Sequence, residues 1–300
     1  MDLDLTRLFV KVVQQGSFSR AADQLKMPKS SVSKAIARLE AETGTKLLIR
    51  STRSLALTPS GRTFYESCLG PIQVLEDAQR SLQGRDSVVA GFLKITAPED
   101  LGGYVIAPAI GQLTKKHPGL TFELNYTDEI VDLVRDGYDL AFRLGKLNPS
   151  SFKVRKLGNV NLVMIATPGY LKAVGTPKSP DDLSKHDCLS YSSRAFASHW
   201  TLKSIEGRSR EVEIKSRIQA NQMTSLLKVA QTGAGIALVP ASLCASEIAA
   251  GRLVRVLPDW QGASVPASMI SPLASSASAR LKIVGDYLAS EVSRVLSVSN

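Results

Sequence analysis

The chain has little cysteine, little histidine and no long apolar run, and each shortage removes a class of protein. Cys68, Cys188 and Cys244 are odd in number, far apart and form no CxxC pair. That excludes a disulfide framework and a cysteine zinc site, and buried, inert thiols are the simplest reading. His117, His186 and His199 show no HxxxH spacing, so no metal site is expected. No stretch approaches the roughly 18 apolar residues that span a bilayer. The start, Met1-Asp2-Leu3-Asp4-Leu5, lacks the basic end and apolar core of a secretion signal, so a cytoplasmic location without membrane attachment is expected. GxSxG, a P-loop and a GxGxxG after a strand are also missing, which argues against an enzyme and against a bound cofactor. Gly233-Ala234-Gly235 reads instead as a helix stop before a strand.

What is present is an ordinary globular composition, 44% hydrophobic and 21% charged over 300 residues, with its charge unevenly placed. Residues 1–62 hold eleven Lys and Arg against five Asp and Glu, giving +6 of the +10 net charge. Positive charge concentrated in about a fifth of the chain is the footprint of a polyanion.

The same segment carries helical periodicity. Leu5, Leu8, Phe9, Val12 and Val13 share one helix face, and Gln15-Gly16 ends it. Ser17 or Ser19 can cap a short second helix with Ala21, Ala22 and Leu25 inward. After Lys26-Met27, Pro28 takes the first turn of a third helix running to Thr43, with Gly44 as its stop. Val32, Ala35, Ile36 and Leu39 make its buried face, while Ser30, Ser33, Lys34 and Ala37 lie opposite. Small hydroxyls and a lysine suit a major groove rather than a core. Two short strands, Leu47–Ile49 and Leu55–Leu57, then flank the basic turn Arg50-Ser51-Thr52-Arg53-Ser54 as a wing that reaches phosphate or a narrow minor groove.

Ser17-Phe18-Ser19-Arg20-Ala21-Ala22, Ser31-Val32-Ser33-Lys34-Ala35-Ile36, Leu39-Glu40, Gly44, Leu47-Leu48, Arg50 and Leu57-Thr58-Pro59-Ser60-Gly61 fall in order and at the spacing of a known family. The chain resembles LysR-type transcriptional regulators. Met27-Pro28 departs from the aliphatic-Ser pair common at that point. The resemblance implies an all-α winged helix-turn-helix domain over 1–58 that binds double-stranded DNA at an interrupted palindrome. Its expected DNA contacts are Ser17, Ser19, Arg20, Pro28, Lys29, Ser30, Ser31, Ser33, Lys34, Arg38, Arg50, Thr52 and Arg53. It implies a linker helix and hinge over 59–89, with dimerisation through Phe64, Leu69, Ile72, Leu75 and Leu82. A homodimer or homotetramer acting on RNA polymerase follows. From the sequence, Thr58-Pro59 starts that helix, Gly70-Pro71 interrupts and bends it, and 84–87 form the hinge.

From residue 90, strand-like and helix-like segments alternate. Strands are expected at 93–96, 120–126, 139–143, 162–166, around Ile218 and at 236–239. Helices are expected between them, one at 129–136. The pattern predicts an α/β effector-binding domain over 90–300 with largely parallel sheets. By resemblance it forms two Rossmann-like, periplasmic-binding-protein-like lobes: 90–161 with 265–300, and 162–264. Ligands of such folds sit at the carboxyl ends of strands. Thr96, Pro98, Glu99, Asp100, Leu101, Thr127, Arg143 and Leu144 are the candidates from the first lobe. Tyr191, His199, Trp200 and Asn221 are those from the second. Because Glu99 and Asp100 already bring negative charge, the expected effector is a small molecule with an aromatic or neutral body, stacked on Trp200 and Tyr191. Two other functions stand beside this one. A non-specific nucleoid-type protein would leave the large α/β domain without use. An enzyme would need an active site assembled from scattered residues.

Overall fold

The computed structural model describes residues 2–50, 55–82, 89–134, 136–147, 152–191, 199–272 and 278–297, with backbone alone at 50, 73, 74, 77, 78 and 80–82. The expected contacts Thr52 and Arg53, and the hinge at 84–87, lie outside the described residues.

Three helices open the chain: α1 (Leu3–Gln15), α2 (Phe18–Leu25) and α3 (Lys29–Thr43). Local chemistry sets each boundary. The Asp2 side chain caps α1 and Gly16, at φ +58°, ends it. Ser17 caps α2 by accepting from the Arg20 N–H at 3.4 Å. Lys26 turns the chain in the left-handed region at φ +52°. Pro28 stands one place earlier than the sequence predicts, as the cap of α3. Its backbone is extended, and its carbonyl accepts from the N–H groups of Ser31 and Val32. Phe9, Val12, Ala21, Val32, Ile36 and Leu39 are wholly buried in one core.

The wing pairs β1 (Leu48–Arg50) with β2 (Leu55–Leu57), Leu48 opposite Leu57 and Arg50 opposite Leu55. Then comes the linker helix α4 (Pro59–Leu82). Thr58 fixes its start, since its hydroxyl accepts from the Gly61 N–H at 2.9 Å and donates to the Lys46 carbonyl at 2.7 Å. A Cβ on Gly61 would lie 1.9 Å from the Leu47 carbonyl oxygen, so only glycine lets helix and wing approach this closely. Helix α4 continues through Gly70-Pro71 as one element, where the sequence predicts an interruption. Its apolar stripe divides: Leu69 and Ile72 are buried in the core of the three N-terminal helices, whereas Leu75 is 53% exposed.

Beyond the linker the chain forms β3 (Gly91–Ala97), α5 (Glu99–Leu101), a π-helical turn (Gly102–Ile106), α6 (Ala107–Lys116), β4 (Leu120–Tyr126), β5 (Leu140–Leu144) and β6 (Phe152–Val160). It crosses to a second lobe with β7 (Leu162–Ala166), α7 (Pro168–Val174), β8 (Asp187–Tyr191), β9 (His199–Ser204), β10 (Ser209–Glu213), β11 (Lys215–Ala220), α8 (Met223–Gln231), β12 (Ile236–Pro240), α9 (Ala241–Ala249), β13 (Val254–Val256) and β14 (Trp260–Gly262). It returns with β15 (Val265–Pro272) and α10 (Ala279–Ser297). One five-stranded sheet has the order β4-β3-β5-β15-β6 and the other β11-β8-β12-β7-β13. A small sheet, β10-β9-β14, flanks the second lobe.

Two expectations for residues 90–300 do not hold. The sheets are mixed rather than largely parallel: β3 with β4 and β5, and β8 with β11 and β12, run parallel, and the other pairings are antiparallel. The double crossing is the cause. Strand β6 leads out of the first lobe and β15 leads back beside it in the opposite direction, Val265 facing Val160. No helix forms at 129–136 among the described residues. Aspartate side chains take the local N–H groups instead: Asp132 that of Val134, and Asp136 that of Asp132.

Candidate DNA-binding surface and effector cleft

The outward faces of α2 and α3 and the turn between them carry the expected nucleic-acid groups. Ser19, Arg20, Pro28, Lys29, Ser30, Lys34 and Arg38 are exposed, and Ser17, Ser31 and Ser33 are half-buried. Not all are equally available. The Ser17 hydroxyl is engaged as the α2 cap. Arg38 bonds Glu42 one turn on, at 3.0 Å, and lies 3.7 Å from Asp2. Lys29, Ser30 and Lys34 form the open centre of the face, backed by wholly buried Val32 and Ile36. Arg50 belongs to β1, beside this face in sequence order.

One residue behind the surface had no role assigned from sequence. Glu40, 4% exposed, accepts from the N–H groups of Leu47 and Leu48 at 2.9 and 3.1 Å, and from Lys46 Nζ at 2.8 Å. It ties the groove-facing helix to the first wing strand. Burial alone would raise its pKa. The bonds from Lys46, Leu47 and Leu48 outweigh that and hold the carboxyl below its ordinary value. The signal was a lone glutamate on the apolar side of α3, one place after Leu39.

Between the lobes, several predicted residues meet and others do not. Thr96 is wholly buried at the end of β3, and its hydroxyl accepts from Nη1 and Nη2 of Arg143, each at 3.4 Å. Arg143 also donates to the Phe142 carbonyl at 3.1 Å. Glu99 and Asp100 reach across to the start of α8. Asp100 accepts from the N–H groups of Met223 and Thr224 at 2.7 and 3.0 Å, and Glu99 from the Gln222 side-chain amide. Tyr191, partly exposed, donates its hydroxyl to Asp128 at 3.5 Å. Burial, then the charges of Asp100 and Glu99, raise the Asp128 carboxyl above its ordinary value, against Tyr191 and Arg143. Leu144 is exposed at the end of β5.

The rest sit elsewhere. Trp200 is buried in the core of the second lobe with Tyr170, Leu183 and Leu202, so it offers no stacking face to a ligand. The alternation of β9 turns its indole inward and leaves His199 exposed opposite Glu213. Pro98 is buried, and Leu101 belongs to the first-lobe core. Thr127 shapes a turn, its hydroxyl accepting from the Glu129 N–H at 3.1 Å. Asn221 is exposed one place before the cap of α8, which is Gln222. Sequence reasoning missed Asp128, Gln222 and the two leading N–H groups of α8, because backbone donors leave no mark in residue identity. The cysteines of the second lobe are buried, and burial pushes the thiols of Cys188 and Cys244 up to about 12 and about 11.

Two family models match the chain. Residues 3–62 match the family described as bacterial regulatory helix-turn-helix protein, lysR family, and residues 87–293 match the LysR substrate binding domain. The transcriptional activator AaeR of Escherichia coli is 37% identical over 254 residues, 85% of this chain and 82% of its own. A transcriptional repressor of Pseudomonas aeruginosa is 32% identical over 275 residues, 91% of this chain and 87% of its own. Among solved structures, the regulator CrgA of Neisseria meningitidis superposes with a TM-score of 0.62 at 27% identity, covering 97% of this chain and 99% of that one.

Proposed function

The chain belongs to the LysR family of bacterial transcriptional regulators, and from that premise we propose how it reads DNA and senses its effector. The domain over 1–58 places α3 in a major groove with Lys29, Ser30 and Lys34 toward the duplex. Arg50 and the wing lie on the adjacent backbone. Two subunits pair through α4 with 59–89 as linker, and the dimer or tetramer spans an interrupted palindrome. The domain over 90–300 has no reaction to perform: it binds a small molecule between its lobes, in the cytoplasm. Binding alters the spacing of the two DNA-binding units and their approach to RNA polymerase. For that to happen the effector must prefer one arrangement of the dimer over the other.

The observation that carries this reading is the face of α3. Its basic and hydroxyl groups are exposed at helical spacing over a wholly buried apolar face. Residues 1–62, which include this face, hold +6 of the +10 net charge. A small molecule with a neutral or aromatic body remains the proposed effector, with Tyr191 and Arg143 as its surfaces and Trp200 removed from that set. No helix among the described residues is long and apolar enough to cross a membrane. The test is binding to DNA from upstream of the gene against a scrambled fragment across a salt series. Selective binding with a steep salt slope is expected. Equal, weak binding to both fragments would favour a nucleoid-type protein.

A further inference from the structure

Helix α8 has no cap of its own. Its cap position is Gln222, whose side chain makes no cap bond, where Ser, Thr, Asp or Asn would ordinarily stand. The leading N–H groups are satisfied from the opposite lobe. Asp100 Oδ2 accepts from Met223 N at 2.7 Å and Oδ1 from Thr224 N at 3.0 Å. Each oxygen takes one N–H, which is how a free carboxylate would seat on a helix N-terminus. Beside it the Gln222 amide donates to Glu99, and across the same gap Tyr191 donates to Asp128. Three first-lobe carboxylates thus reach the second lobe, and one of them, Asp100, is inserted into the positive end of a nine-residue helix.

We propose that Asp100 is the built-in occupant of the anion seat in this cleft, a tethered carboxylate that caps α8 from the other lobe and excludes carboxylate ligands. A free carboxylate would have to displace one that is attached to the same chain and therefore present at high effective concentration. Once displaced, Asp100 would remain beside Glu99 and Asp128, three negative charges near one incoming fourth. Arg143, the cation on this side of the cleft, is turned to the Thr96 hydroxyl and to the Phe142 carbonyl. Asp100 is accordingly the specificity-determining residue, and the effector class is neutral or cationic at the α8 end. This rests on the cleft being the effector site.

Hydrogen exchange of the full chain over residues 221–228 tests it, with benzoate as carboxylate probe and benzamide as its neutral counterpart. In the native chain neither benzoate nor acetate should alter exchange at α8. In Asp100→Ala the first turn of α8 should exchange about fivefold faster, the effect of losing one cap. Benzoate, and not benzamide, should restore the protection saturably. Asp100→Ser gives the same readout from a better-tolerated side chain. Unchanged exchange in both variants overturns the proposal, as does benzoate protecting the native chain as strongly as the variants. Operator affinity in the same samples separates the two readings. Rescue that leaves operator affinity unmoved keeps the anion seat and overturns the cleft as effector site.

Discussion

The DNA-binding unit and the interlobe cleft assemble their functional groups by opposite routes. In the first, the groups proposed to face DNA stand three and four residues apart on one helix, and the residues behind them alternate with the same period. In the second, the partners of Asp100 lie 123 and 124 residues away in the other lobe, and only the meeting of the two lobes brings them together. A surface built locally is specified by periodicity. A cleft built by topology is specified by pairings that periodicity does not contain.

The most severe way to break the contrast is to remove the buried carboxylate that ties α3 to the first wing strand. Glu40→Ala leaves the N–H groups of Leu47 and Leu48 without their buried acceptor. The DNA-binding unit should lose about 2–4 kcal/mol. Both tryptophans, Trp200 and Trp260, lie in the second lobe, so their fluorescence reports that lobe alone. The helical circular dichroism transition should fall in temperature while the fluorescence transition stays in place. A joint fall would show that the two regions unfold as one.

Next comes the linker, which serves both regions. Leu75 is exposed on α4 while Leu69 and Ile72 are taken up by the chain's own core. Leu75→Arg should weaken dimerisation by at least about tenfold, roughly the loss of one buried leucine, without unfolding the chain. Sedimentation across a concentration series reads this. An unchanged dimer would place the interface on another face of α4. Smaller again is Lys34→Ala. It should weaken operator binding about fivefold to tenfold and lower the salt slope by about one unit, the effect of one phosphate contact. Affinity and slope both unchanged would contradict the proposed docking of α3.

How much was legible divides along the same line. Val32, Ile36, Leu39, the Gly16 and Gly44 stops and the Thr58 helix start were all readable, because each depends on neighbours within a turn or two. Trp200 was misread because a large aromatic near a predicted cleft is equally well a core residue, and only the register of β9 decides. The absent helix at 129–136 was misread because its apolar spacing competes with aspartates that bond their own backbone. Asp128 and Gln222 could not be found, since their importance comes from a contact between lobes.

The smallest predicted effect has the most diagnostic sign. Glu40 is held below its ordinary pKa of 4.5 in the folded chain. Its contribution is therefore complete above that value and is lost as pH falls through the folded value. Asp128 is raised above its ordinary 3.8, first by burial and then by Asp100 and Glu99. Its ionisation opposes folding, so stability from this group is greatest below 3.8 and declines as pH rises through the folded value. Acid should therefore weaken the DNA-binding unit while relieving the cleft. Asp128→Asn keeps an acceptor for Tyr191 and removes the charge, so it should raise the tryptophan-detected midpoint slightly at pH 7. The gap should close as pH falls through the raised folded value, where the native carboxyl becomes protonated. A gap that persists unchanged below that value would mean that the amide acts through packing or hydrogen bonding. The charge of Asp128 would then have no part in setting how the lobes meet.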